Sequence, residues 1–157
     1  MPLTLSLAGL SVTFTKFINT SYPRVIVQPL SVMEFSAFGT PAISGSYFEP
    51  KYLWQFETLC DRTQRQMIEA IAYEFHTRRR ALQDFDILLL DTTAYVTERL
   101  PRSRGIVPGG VETSINGTHL SYHAQFKAAI TDGLRFSSNG RLDVLSISLT
   151  ETVRVQP

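Results

Sequence analysis

The chain has 157 residues, about 43% hydrophobic and 18% charged, with a formal net charge of +1. That length fits about one domain, and the composition is that of a folded chain able to bury a core without staples. The near-neutral charge argues against a polyanion as the main partner, and a single cysteine, Cys60, excludes an internal disulfide framework. The cations are skewed to twelve arginines against three lysines. Arginine's planar fork suits contacts between subunits, whereas lysine prefers to stay hydrated.

The N-terminal "MPLTLSLAGLSVTF" has no basic leader and alternates, so it reads as strands and not as a signal peptide. Leu3, Leu5 and Leu7 share one face, as do Leu10, Val12 and Phe14, with Ala8-Gly9 as a tight turn or bulge between them. "RVIVQ" at 24–28 lies between prolines and predicts a short or edge strand. Residues 31–46 are rich in small residues and predict an ordered loop pinned by Phe35 and Phe38. Residues 1–46 thus read either as part of the single 1–157 domain or as an extension reaching a neighbouring subunit. "KYLWQFETL" places Tyr52, Trp54 and Phe56 on one strand face.

The period then changes. Met67, Ile68, Ile71, Ala72 and Phe75 form one stripe of a helix. Asp61 is its natural N-cap, with Gln64 completing a capping box, and Arg78, Arg79 and Arg80 face the negative end of the macrodipole. "FDILLLDTT" follows, with Ile87 to Leu90 apolar in succession, and predicts a strand buried on both faces beneath the helix. "YVTERL" at 95–100 is expected to continue that sheet. Residues 101–118 hold four glycines and two prolines and predict a long loop of the kind that is functional or flexible.

"HLSYHAQFKAAI" alternates Tyr122, Ala124, Phe126, Ala128 and Ile130 along one predicted strand, and Asp132-Gly133 is a hairpin signal. "LRF" is short and "SSNG" turns again. "LDVLSISLTETVRV" closes with Leu145, Ile147, Leu149, Val153 and Val155 on one face, broken by Glu151, which signals a kink or bulge. The expected fold is mainly β: a sandwich or barrel of about seven to eight strands with one α-helix packed on it. Its core is expected at Trp54, Phe56, Ile68, Ile71, Phe75, Ile87, Leu89, Phe126, Ile147 and Leu149.

Catalytic and metal signatures do not assemble. His119 and His123 could share a strand face but lack a third ligand, and read as solvent-facing. Asp84 reads as a turn residue and Asp91 as a strand-end residue, while Cys60 reads as a small buried hydrophobe. No nucleophile–base motif, phosphate loop or cofactor fingerprint is present. The expectation is no enzyme, no cofactor, no metal and no membrane span. "RSR" at 102–104 and "RRR" at 78–80 allow a nucleic-acid-binding barrel as a reading, weakened by the balancing acidic residues.

The element order from "YLWQFETL" through the capped helix "DRTQRQMIEAIAYEF", the strand "DILLLD", a glycine-rich loop and the closing "LSISLTETVRV" resembles tail-tube-like structural proteins of tailed phages, particularly minor tail and distal tail proteins. The helix entry "CDRTQR" and the "SLTE" of the last strand carry the likeness, which spans roughly residues 47–155. The resemblance implies a ring-forming, commonly hexameric, subunit of the virion tail tip, or a tube or baseplate adaptor. It would be made in the host cytoplasm and partnered by itself and by other tail or baseplate proteins. Subunit contacts would then fall at Arg99, Arg102, Arg104, Ile106, Val107, Val111 and Glu112. The competing expectation is a soluble β-barrel that binds a ligand or nucleic acid.

Overall fold

The structure, a computed structural model, describes residues 2–18, 24–27, 31–35, 41–45 and 51–154. Among them the elements run β1 (Leu3–Leu7), β2 (Leu10–Phe14), β3 (Arg24–Val27), β4 (Ser31–Phe35), β5 (Pro41–Gly45), β6 (Lys51–Cys60), α1 (Arg62–Arg80), β7 (Ile87–Asp91), β8 (Val96–Arg99), β9 (Glu112–Ile115), β10 (His119–Tyr122), β11 (Gln125–Ile130), β12 (Arg135–Asn139) and β13 (Leu142–Arg154). The fold is mainly β with one helix, as the patterning implies. The strands are shorter and more numerous than expected because they divide among three sheets.

The main sheet has eight strands in the order β2-β1-β7-β11-β13-β6-β3, with β12 paired to β13. All its pairings are antiparallel. β1 and β2 form a hairpin around Ala8 and Gly9, both at positive φ (53° and 82°), the twist that matches flanking strands in a two-residue turn. Beyond β2 the chain meets β6: Ile18 N–H donates to Glu57 (3.0 Å) and Leu59 N–H donates to Lys16 (2.9 Å). These bonds flank a bridge between Phe17 and Thr58 that draws β2 towards β6, so the sheet curls as a half-barrel.

The curl gives the sheet an inner face. Leu3, Leu5, Phe14, Trp54, Ile87, Leu89, Phe126, Leu145 and Leu149 are fully buried there, with Phe56 and Ile147 nearly so. α1 lays Ile68, Ile71 and Phe75 into the same cluster. Every expected core residue is therefore in the core. Each such side chain contributes about 1.5–3 kcal/mol when fully buried.

The helix is positioned by polar contacts at its start. Asp61 accepts from Gln64 N–H (2.8 Å), and the Gln64 side chain accepts from Asp61 N–H (3.0 Å) while donating to Thr13 (2.8 Å) on β2. Arg65 reaches Asp143 on β13 (2.9 Å). The last turn carries Arg78, Arg79 and Arg80, and Leu82 takes the left-handed position (φ 54°) that a glycine usually fills beyond a helix.

Several expectations change. β7 is fully buried on one face only: Ile87, Leu89 and Asp91 point inward, while Leu88 and Leu90 are half-buried. Register places Ser6 and Lys127 beside Leu88, and Thr4 and Gln125 beside Leu90. Within the segment expected as a loop, 31–35 and 41–45 instead pair as the antiparallel strands β4 and β5; 36–40, with Phe38, and Ser46 lie outside the described residues. Residues 95–100 do not continue the main sheet. β8 joins β10 and β9 in a separate three-stranded sheet.

The long alternating strand is two strands, β10 and β11, which carry one row of buried side chains from the small sheet into the main one. β12 pairs with β13 and not with β11, so Asp132-Gly133 makes no hairpin. β1, β2 and β3 are strands of the main sheet. Among the described residues, β4 and β5 are the strands that stand outside it and the small sheet. The chain's last expected inward position, Val155, lies outside the described residues.

Candidate functional site

The segment that the sequence marks as a loop, 101–118, is structured at both ends. β9 covers its second half and pairs with β10 around a turn in which Asn116 and Gly117 take positive φ (51° and 66°). Asn-Gly between two strands is the strongest short hairpin signal, so this turn was legible in the residues. The first half, 104–111, runs beside the β10–β11 junction. Val107 N–H donates to His123 (2.9 Å), His123 N–H to Val111 (3.2 Å) and Gln125 N–H to Gly105 (2.8 Å), around a bridge between Ile106 and Ala124. Gly110 must be glycine here, since a Cβ would stand 2.8 Å from the Val107 carbonyl oxygen.

The small sheet is tied to the main one by a buried ion pair. Arg104 forks onto Glu151, with Nε to Oε1 at 2.8 Å and Nη2 to Oε2 at 3.0 Å. Both side chains are almost wholly buried, at 4% and 1% exposure. The guanidinium lies over the rings of Tyr52 (5.1 Å) and Phe126 (5.4 Å), which suits its planar, weakly hydrated charge. Burial works against the Arg104 charge, but the hydrogen bonds and charge of Glu151 outweigh it and raise its pKa.

Glu151 breaks the apolar inner row because it is this partner. Directly after it β13 carries one extra residue against β11, the bulge that the sequence signals: Ala128 faces Glu151 while Phe126 faces Arg154.

A second carboxylate sits beside the pair. Glu98 accepts from Ser103 N–H (2.6 Å), from the Ser103 hydroxyl (2.5 Å) and from the Tyr122 hydroxyl (2.7 Å). Burial alone would raise its pKa; the bonds from Ser103 and Tyr122 overcome that and hold it below the usual carboxylate range. Tyr122 is pushed above its ordinary value, by burial first and then by the hydrogen bond to Glu98. Further out, Arg102 pairs loosely with Glu112 (3.6 Å).

The seven expected interface residues therefore separate. Arg99, Val111 and Glu112 are exposed, and Arg102 and Ile106 are half-buried. Arg104 and Val107 are inside the chain, at 3% and 7% exposure, which corrects their assignment to a subunit surface. Arg104 is held there by Glu151, and Val107 by its backbone pairing to the junction. His123 is also corrected: it is 6% exposed and stacked on Tyr95 at 4.3 Å, while His119 stays exposed. Cys60 is 1% exposed, and burial pushes its thiol pKa up, as a small core residue requires. Asp84 caps its own turn by accepting from Asp86 N–H (3.1 Å), and Asp91 is a buried acceptor for Trp54 Nε1 (3.1 Å).

Sequence reasoning missed Tyr95, Leu100 and Ile115. With Val111 they make four of the seven large hydrophobics left exposed among the described residues, and all fall within 95–115. β9 is exposed along its whole length and lies at an edge of the small sheet, as does β8. Among the described residues no group of three or more His, Cys, Asp or Glu could hold a metal, and no helix is long and apolar enough to cross a membrane. No family model, no curated protein and no solved structure matches this chain.

Proposed function

We propose that the chain is a non-catalytic, ring-forming structural subunit of a phage tail tip, of the distal or minor tail type, with other copies of itself and neighbouring tail proteins as partners. The observation that carries this reading is the small sheet. It combines edges on β8 and β9 that no other strand covers among the described residues with exposed Tyr95, Leu100, Val111 and Ile115, on a base held by the Arg104–Glu151 pair. Unpaired strand edges with exposed apolar side chains invite another chain. A polar network that fixes the sheet on the framework suits a repeated contact, because geometry rather than flexibility decides whether a ring closes.

Native mass across a concentration series tests the reading. A ring-sized oligomer that Val111→Asp or Ile115→Asp reduces to monomer, with melting temperature unchanged, is the expected result. Substitution is a better probe than removal of residues 103–112, which would strip Arg104 from Glu151. A strict monomer at high concentration, alone and with tail-protein partners, would overturn the ring and bring forward the soluble ligand-binding barrel.

A further inference from the structure

Leu82 is unfavourable in two ways at once. Beyond the end of α1, Leu82 N–H donates to Arg79 (3.3 Å) and Gln83 N–H to Arg78 (3.0 Å). That paired cap holds Leu82 in the left-handed region (φ 54°), where glycine avoids crowding and a bulky side chain is strained. The same side chain is 92% exposed, more than any other large hydrophobic among the described residues. A leucine on strained backbone, standing in water, adds nothing to folding. Such an outlier points to a contact made outside the chain.

Its surroundings are aromatic and basic. Tyr73 is 75% exposed, and His76, Arg79 and Arg80 are exposed on the last turns of α1. Spacing sets Tyr73, His76 and Arg80 on one face, with Arg79 one turn back from Leu82. Arg78 is already engaged, by Glu74 (2.8 Å) and the Asp84 carbonyl (3.3 Å). Arg79 and Arg80 have no ion pair and no side-chain hydrogen bond among the described residues. The nearby acids are occupied: Glu69 by Arg65, Glu74 by Arg78, and Asp84 by the Asp86 N–H. The helix dipole accounts for cations at this end, but for neither Leu82 nor Tyr73.

We infer that the C-terminal end of α1 docks a second, different protein, which presents an acidic segment around an apolar contact for Leu82. Tyrosine and arginine are the residues that interfaces favour, and arginine forks onto carboxylates. The centre of the patch is aliphatic and gives a nucleic-acid base no ring to stack on. A membrane surface would need the helix's apolar stripe, and Ile68, Ile71 and Phe75 are already in the core. A second copy does not supply the complement, because its exposed small-sheet hydrophobics stand with Arg99 and Arg102 against Glu112. Arg78 faces the Ala8-Gly9 turn across a cleft beside Leu88, near the start of β7. The small sheet adjoins the other end of β7, where Leu90 faces Gln125 and the β10–β11 junction follows. The docking surface is therefore separate from the edges of β8 and β9, and stands whether or not copies form a ring.

The full chain is titrated with a synthetic peptide in which glutamates flank one phenylalanine, and its amide signals are followed by NMR. Phosphatidylserine vesicles and a single-stranded oligonucleotide are the competing probes. The peptide should shift the amides of Tyr73, Arg79, Arg80 and Leu82, bind several-fold more tightly than an all-glutamate peptide, and weaken as salt is added. Arg79→Gln with Arg80→Gln should lose that binding and keep the folded amide spectrum. Leu82→Gly separates docking from folding: its melting temperature should rise, while its binding falls to that of the all-glutamate peptide.

A Leu82→Gly variant that melts lower would assign Leu82 to the fold and overturn the inference. Vesicle or oligonucleotide binding in place of the peptide would overturn it in favour of lipid or nucleic acid, and no peptide binding would remove the surface. Each of these results leaves the oligomer, and so the ring reading, to its own test.

Discussion

The framework and the small sheet are held by different physics. The curled main sheet and α1 share an inner face of aliphatic and aromatic side chains, with Trp54–Asp91 as a buried polar contact inside it. The small sheet buries Val96, Leu120 and Tyr122 against that cluster, but its position depends on Arg104–Glu151 and on the bonds that converge on Glu98. Apolar contact tolerates adjustment, whereas a buried ion pair has one good geometry and a heavy penalty otherwise. The framework therefore sets whether the chain folds. The polar junction sets where the candidate interface stands.

That contrast breaks most strongly in the framework. Ile71→Asp places an unpaired carboxylate at a fully buried position and should abolish cooperative unfolding, at a cost beyond about 4 kcal/mol. A variant that melts like the parent would sink the assignment of α1's buried face.

Arg104→Met should come next. It leaves Glu151 buried without its cation and should cost about 3–5 kcal/mol in chemical denaturation, with amide exchange accelerating first around 96–122. Adding Glu151→Leu should restore most of the loss, since an apolar pair of similar volume removes the orphaned charge. If Arg104→Met costs no more than a surface change, the junction is not what anchors the small sheet.

The gentlest perturbation is acid. Glu98's carboxyl is held below its ordinary range in the folded state. Its stabilisation is therefore complete above the unfolded carboxylate pKa of about 4.3 and is lost as pH falls through the lower folded value. Protection of the Leu120 and Tyr122 amides, measured relative to their intrinsic exchange rates, should fall as pH drops below about 4.3, ahead of protection in β6 and β13. Glu98→Gln should flatten that difference. Simultaneous loosening of both regions would mean that Glu98 does not act locally.

Legibility followed the same division. α1 was readable because period, cap, capping box and terminal arginines all agree within one stretch of chain. The core was readable because alternation alone places Trp54, Phe126 and Leu149 on inner faces. β10 and β11 looked like one strand because a buried row continues across His123 even though the sheet changes. The 31–46 segment looked like a loop because its small residues and proline mask a pairing that depends on register. Glu151 was legible as a break and not as a partner, since Arg104 lies 47 positions away.

Local periodicity and capping chemistry determined by themselves that this chain has a capped helix, alternating strands and an apolar core. Those signals act between residues a few positions apart, where spacing alone decides who shares a face. Only the tertiary structure decided that Arg104 turns inward to Glu151, that β8, β9 and β10 form their own sheet, and that β4 pairs with β5. Those outcomes depend on pairings between distant segments, whose energies exist only once the sheet has curled and brought the charges together.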